Sequence, residues 1–170
     1  MSEPVDRAAT DPTNATPNAK TPIAETGLRS FDESLPMELL RAREAIMRRF
    51  RPILGDHDVT EQQWRVLRAL ADADGSMTVG ELIDETFLLG PSLSRMLVTL
   101  DDRGLISRSA DRGDARRSQV AISRSGRRLV AAIAPHSERV YAEIGAQLGP
   151  ADMELLYDLL RRTAAIKETR

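Results

Sequence analysis

Along most of the chain apolar residues recur at helical spacing, and Gly and Pro mark the breaks between recurrences. From Ser34 onward, Leu39, Leu40, Ile46, Met47, Phe50, Ile53 and Leu54 fall on one side of a helix. Ser34 suits the cap of that helix and Pro36 its first turn. The helix is expected to reach about Arg51, with Pro52 kinking or ending it for want of an N–H. After the break "GDHD", the run "TEQQWRVLRALADAD" predicts a second helix. Thr60 and Gln63 have capping-box spacing, and Trp64, Leu67, Leu70 and Ala71 form the buried face. "GSM" breaks the pattern. "TVGELIDET" then opens a short third helix, with Thr78 and Glu81 repeating the capping box and Val79, Leu82 and Ile83 turned inward.

In "PSLSRMLVTLDDRGL", Pro91 fits a first helical position after Gly90, Leu93, Met96, Leu97 and Leu100 form a stripe, and Gly104 is a C-terminal stop. Two short helices so closely spaced form a helix-turn-helix. A hairpin follows, with Leu105 and Ile106 opening one strand and Val120 and Ile122 alternating on the other. A long helix begins at "SRSG", capped by Ser123 or Ser125, with a kink expected at Pro135. Gly149–Pro150 interrupts the chain before a last helix with Met153, Leu156, Leu159 and Leu160 on one side. The fold class is mainly α with a small β-hairpin wing. Residues 1–30, with "ATDPTNATPNAKTP" at their centre, lack periodicity and are expected to be a disordered tail. Residues 31–170 form the domain.

Composition narrows the function. The 170 residues are 41% hydrophobic and 29% charged with a net charge of −2, an ordinary balance for a globular protein. The chain has no Cys, which removes thiolate catalysis, disulfides and thiol sensing. His57 and His136 are the only histidines, so no metal site and no cofactor are expected. No membrane span or signal peptide is recognisable, which fits a cytoplasmic protein. There is no Gly-rich phosphate loop and no nucleophile–base pair, so the chain is not expected to be an enzyme.

The near-neutral total hides a segregation. Arg103, Arg108, Arg112, Arg116, Arg117, Arg124, Arg127 and Arg128 face only Asp111 and Asp114 in the same stretch. A basic hairpin directly after a helix-turn-helix is the footprint of a winged-helix DNA binder, against the alternative of a solvated hairpin with incidental arginines. The recognition helix would enter the major groove and the wing would set Arg on phosphates or in the minor groove. The core claims Leu93, Met96, Leu97 and Leu100. That leaves Ser92, Ser94, Arg95, Val98 and Thr99 to face DNA, with Arg95 the best placed for a base contact. Helix capping is the competing role for the two serines. A ligand-independent, architectural DNA-binding protein is the competing function.

"PSLSRMLVTLDDRGLISRSADRGDARRSQVAISRSG" resembles the MarR family of bacterial transcription regulators. It carries the Pro-Ser opening of the recognition helix, the exit from Leu100 to Ile106, the wing pair Asp114 and Arg116, and Ser123 in place of the usual Thr of Thr-x-x-Gly. The first-helix run "LLRAREAIMRRFRPIL" and "TEQQWRVLRAL" resemble the subgroup regulating homoprotocatechuate catabolism. The resemblance implies a winged helix-turn-helix homodimer, with dimerisation helices at about 34–55 and 124–168 and a DNA-binding lobe at about 60–123. It also implies a repressor on a pseudo-palindromic double-stranded DNA operator, released by a small aromatic acid, with a regulator of a different stress or efflux response as the alternative within the family. Arg112, Asp114, Arg116 and Arg117 would serve the wing, Asp114 orienting Arg116. Arg43 stands in the centre of the first helix's apolar stripe and there needs a partner, because an unpaired buried guanidinium costs several kcal/mol. In the aromatic-acid branch a first-helix Arg binds the carboxylate. The resemblance thus assigns Arg43 that role, with Met47, Phe50 and Trp64 around the ring and His57 near a phenolic hydroxyl. A structural ion pair with Glu44 of a second copy, or with an acid of the last helix, is the alternative.

Overall fold

A computed structural model describes residues 27–110 and 118–167. The chain divides into two units, one ending at Arg43 and one beginning at Glu44. In the first, a 3-10 turn at Phe31–Glu33 precedes the opening of helix α1 (Leu35–Gly55). Arg41 bridges Asp32 and Glu38, both at 2.6 Å, and lies over the Phe31 ring. These contacts are exposed, so they fix a local conformation more than they stabilise the fold.

The second unit begins within α1. The helix does not stop at Arg51 but runs through Pro52 to Gly55. Proline removes only its own N–H bond, while its carbonyl still accepts from the Asp56 N–H at 3.0 Å. Helix α2 (Glu61–Asp72) and helix α3 (Val79–Thr86) both start with the expected capping boxes, Thr60 with Gln63 and Thr78 with Glu81. Between them lies strand β1 (Ser76–Thr78), where the sequence suggested only a break. Helix α4 (Gly90–Asp102) starts one residue before Pro91. Strands β2 (Ile106–Ala110) and β3 (Ser118–Ile122) form the hairpin, and β1 adds to the free edge of β3 to give an antiparallel sheet ordered β1-β3-β2. Helix α5 (Arg124–Leu148) continues through Pro135, and helix α6 (Pro150–Ala164) follows.

The main core joins Val66, Leu67 and Leu70 of α2, Leu82 of α3, Leu93, Leu97 and Leu100 of α4, and Leu105, Ile106, Val120 and Ile122 of the wing. Each of these leucines contributes about 1.5–3 kcal/mol by leaving water. A smaller cluster, Leu54, Val59, Trp64 and Ile133, joins the end of α1 to α2 and α5.

α4, the wing and α5 meet at one joint. Gly104, at φ +66, ends α4 in a left-handed turn, its N–H donating to Asp101 O (2.7 Å) and that of Leu105 to Leu100 O (2.9 Å). This pair of bonds is a Schellman motif. The Ser123 N–H then donates to Leu105 O at 3.0 Å, and the Ser123 hydroxyl donates to Gly104 O at 2.7 Å. The Ser123 Oγ in turn accepts from the Gly126 N–H at 3.0 Å, capping α5. A Cβ on Gly126 would lie 2.1 Å from Leu105 O and 2.8 Å from Ile122 Cγ1. Gly126→Ala is therefore expected to destabilise the fold by roughly 1–3 kcal/mol through backbone overpacking. Thermal denaturation should show a clear fall in melting temperature, and an unchanged value would refute so close an approach.

Candidate nucleic-acid interface

Helix α4 separates its two faces as its leucines require. Leu93, Leu97 and Leu100 are buried and Met96 is half-buried, while Ser92, Ser94, Arg95, Val98 and Thr99 are exposed. Ser92, Arg95 and Thr99 follow one another at helical spacing, so one outer stripe carries two hydroxyls and a guanidinium. Arg95 Nε donates to Pro91 O at 3.3 Å, and the Thr99 hydroxyl donates to Arg95 O at 3.3 Å. These long bonds fold both side chains along the helix. A base edge that offers a bidentate acceptor competes well with such a bond. Unlike α2, α3 and α5, helix α4 opens without a side-chain cap, since Leu89 occupies its N-cap. Neither serine caps this helix, which leaves their hydroxyls to solvent or to a bound partner.

Two guanidinium contacts hold the lobe behind this surface. Arg65 donates to Thr86 O at 2.8 Å, placing a cation on the C-terminus of α3. Arg103 donates to Asp58 O at 2.8 Å and ties the end of α4 to the turn after α1. Arg108 is exposed on β2. The expected wing-tip residues Arg112, Asp114, Arg116 and Arg117 lie outside the described residues.

The residues expected around a ligand differ in burial. Arg43 is exposed on α1, where Leu39 and Leu40 are exposed as well. Met47 and His57 are half-buried. Phe50 is buried with its ring edge-to-face on Tyr141, centroids 5.3 Å apart. Trp64 is buried in the smaller cluster, and the Arg68 guanidinium lies 5.9 Å from its ring centroid. Burial pushes the Tyr141 hydroxyl above the usual phenol range. Tyr157 and Glu138 act in the same direction, and Arg68 acts against them. The second unit thus brings Arg68, which sequence reasoning passed over, to Trp64 and toward Tyr141, while Phe50 packs on Tyr141 and Arg161 lies 5.8 Å from the Tyr157 ring centroid. The Trp64–Arg68 spacing of one helical turn was readable, but the approach of the two tyrosines depends on how α5 and α6 pair. Among the described residues no group of His, Asp and Glu is placed to hold a metal ion, and no helix is long and apolar enough to cross a membrane.

Residues 57–117, covering the helix-turn-helix and the first strand of the wing, match the MarR family. The chain is 36% identical over 140 residues to the HTH-type transcriptional regulator FarR of Neisseria gonorrhoeae, covering 82% of this chain and 95% of that one. It is also 36% identical over 138 residues to the homoprotocatechuate degradative operon repressor of Escherichia coli, covering 81% and 93%. Among solved structures, NadR in complex with 4-hydroxyphenylacetate superposes with a TM-score of 0.73 at 36% identity, covering 82% of this chain and 99% of that one. These relatives are regulators of transcription, not enzymes.

Arg95→Ala removes the one charged group of the outer stripe, the candidate for a base contact. Losing a bidentate guanine contact should weaken the preferred duplex by roughly 5- to 150-fold and leave random-sequence DNA nearly unaffected. Gel shifts with unlabelled competitor measure the ratio, and equal losses on both duplexes would reassign Arg95 to a phosphate.

Proposed function

The chain belongs to the MarR family of transcription regulators, and from that premise we propose that it is a homodimeric repressor of aromatic-acid catabolism genes, released from its operator by a small aromatic carboxylate. The observation that carries the ligand reading is Arg68 over the Trp64 ring, 5.9 Å from its centroid, with Tyr141 close enough to feel its charge. A guanidinium pairs bidentately with a carboxylate, and aromatic walls suit a ring carried behind it. The likeness to the homoprotocatechuate operon repressor and to NadR supports the same ligand class. Arg43 is the second candidate for the carboxylate, on the resemblance of its helix alone.

The dimer reading rests on exposed apolar surface. Leu155, Leu156, Tyr157, Leu159 and Leu160 of α6 are 38–54% exposed, as no self-contained last helix needs to be. A second copy covers such a row, and two recognition helices then read the two halves of a pseudo-palindrome. On DNA, Ser92, Ser94, Arg95 and Thr99 face the major groove. Arg112, Arg116 and Arg117 neutralise phosphates, with Asp114 orienting Arg116. A ligand that binds better to one spacing of the two lobes shifts operator affinity. A coupling of roughly 1–3 kcal/mol gives ~5–150-fold.

Thermal-shift titration with 4-hydroxyphenylacetate tests the ligand. At a hundredfold excess over Kd the folded state gains about 2.7 kcal/mol, a rise of several degrees. Arg68→Ala is expected to abolish the rise and Arg43→Ala to retain it. The reverse result moves the carboxylate to Arg43, and a full response in both variants refutes a guanidinium clamp on either residue. For the wing, Arg116→Ala should weaken binding evenly across sequences and reduce the salt slope by about 1. An unchanged slope would remove Arg116 from the phosphates.

A further inference from the structure

The turn between α3 and α4 breaks local sequence rules at two positions only two residues apart. Phe87 ends α3 in the left-handed region, φ 54 and ψ 32, where Gly or Asn is the usual residue. Leu89 occupies the N-cap of α4, where it offers no acceptor. Both side chains point into solvent, Phe87 88% exposed and Leu89 76% exposed, the highest values among the exposed large apolar residues. Between them Leu88 is buried at 8% exposure and pins the turn to the core. The Phe87 N–H donates to Ile83 O at 2.8 Å, the Thr86 hydroxyl donates to Leu82 O, and Arg65 holds Thr86 O. The turn is therefore held firmly while it presents two apolar groups to water. A position that violates local preference and is nonetheless tightly supported is a mark of function.

The location indicates what the pair meets. Leu89 lies one turn before Ser92 on the helix whose outer stripe continues to Arg95 and Thr99. Any duplex that brings its major groove to that stripe also meets the turn. The apolar group exposed on the floor of a major groove is the 5-methyl of thymine. Resting on the DNA-binding reading above, we infer that Phe87 and Leu89 form a second base-reading element, which takes thymine methyl groups beside the bases read by the polar stripe. The pair sets sequence preference by apolar contact where no hydrogen bond is made. It also makes the preferred operator half-site rich in A·T pairs at that end of α4.

The test uses a duplex selected by the wild-type protein from a random-sequence library, with each thymine replaced in turn by deoxyuridine, which removes only the methyl. Fluorescence anisotropy is expected to show at least one replacement that weakens the wild type about 3- to 5-fold, the value of one buried methyl. Phe87→Asn suits the left-handed turn, so its melting temperature should hold or rise, while its affinity for the thymine duplex falls about tenfold and loses sensitivity to that methyl. Leu89→Ala should do the same without touching the strained residue. Arg95→Ala should lose affinity yet keep the methyl sensitivity, which separates the two elements. The inference is overturned by wild-type affinity and unchanged methyl sensitivity in both turn variants, or by no effect of any deoxyuridine. Sedimentation that shifts in Phe87→Asn while operator affinity stays constant would instead assign the pair to a contact between copies, and overturns it too. A wild-type protein that selects no sequence refutes the DNA-binding reading itself, and this inference with it.

Discussion

The carbonyl of Leu105 is where the architecture is decided. It accepts the Ser123 N–H, and it lies so close to Gly126 that no side chain fits between. The exit of α4, the return of the wing and the start of α5 are thereby joined backbone to backbone. Side-chain contacts yield by rotamer changes, whereas this joint has no rotamers to change. A tilt of α5 must be carried into α4 and the sheet together. In a DNA-binding regulator this rigidity passes any shift of α5 directly to the helix that carries the outer stripe. The family's hydroxyl-x-x-Gly motif acquires a reason here. The hydroxyl bridges two backbone groups, which Ser provides as well as Thr, and the glycine leaves room for the carbonyl.

Where local chemistry determines local structure, the sequence was informative. Both capping boxes, the Gly104 stop, the inward leucines of α4 and the alternation of Val120 with Ile122 follow from hydrogen-bonding and periodicity within a few residues. The outer stripe of α4 was readable for the same reason, since removing core positions leaves the remainder exposed. Strand β1 was not, because three residues, Ser76–Thr78, cannot display an alternation. It exists because β3 has a free edge to fill, and that is a property of another segment. The end of α1 was misplaced because proline's missing donor was weighed without its surviving acceptor.

The candidate ligand residues show the same division at longer range. Arg43 attracted notice because a helical projection puts it in an apolar stripe, yet that stretch of the stripe is itself exposed in the single chain. Arg68 drew none, because Tyr141, which feels its charge, comes from a helix far along the chain. A projection reports one helix at a time, and a binding cleft is made by several. The turn at Phe87 belongs to a third kind. Nothing in the residue string announces a left-handed phenylalanine, and only the backbone angle shows that the fold tolerates a strained position there.

The uncovered apolar row on α6 has a consequence for how much of this protein a cell must make. A chain whose last helix is covered only by a second copy has a stability that depends on its concentration, because pairing stabilises the folded state. Dilution below the dissociation constant unpairs the subunits, leaves the row in water and invites proteolysis or aggregation. The regulator thus has a lower limit of abundance set by a few leucines. Below that limit its target genes would escape control with no effector present at all.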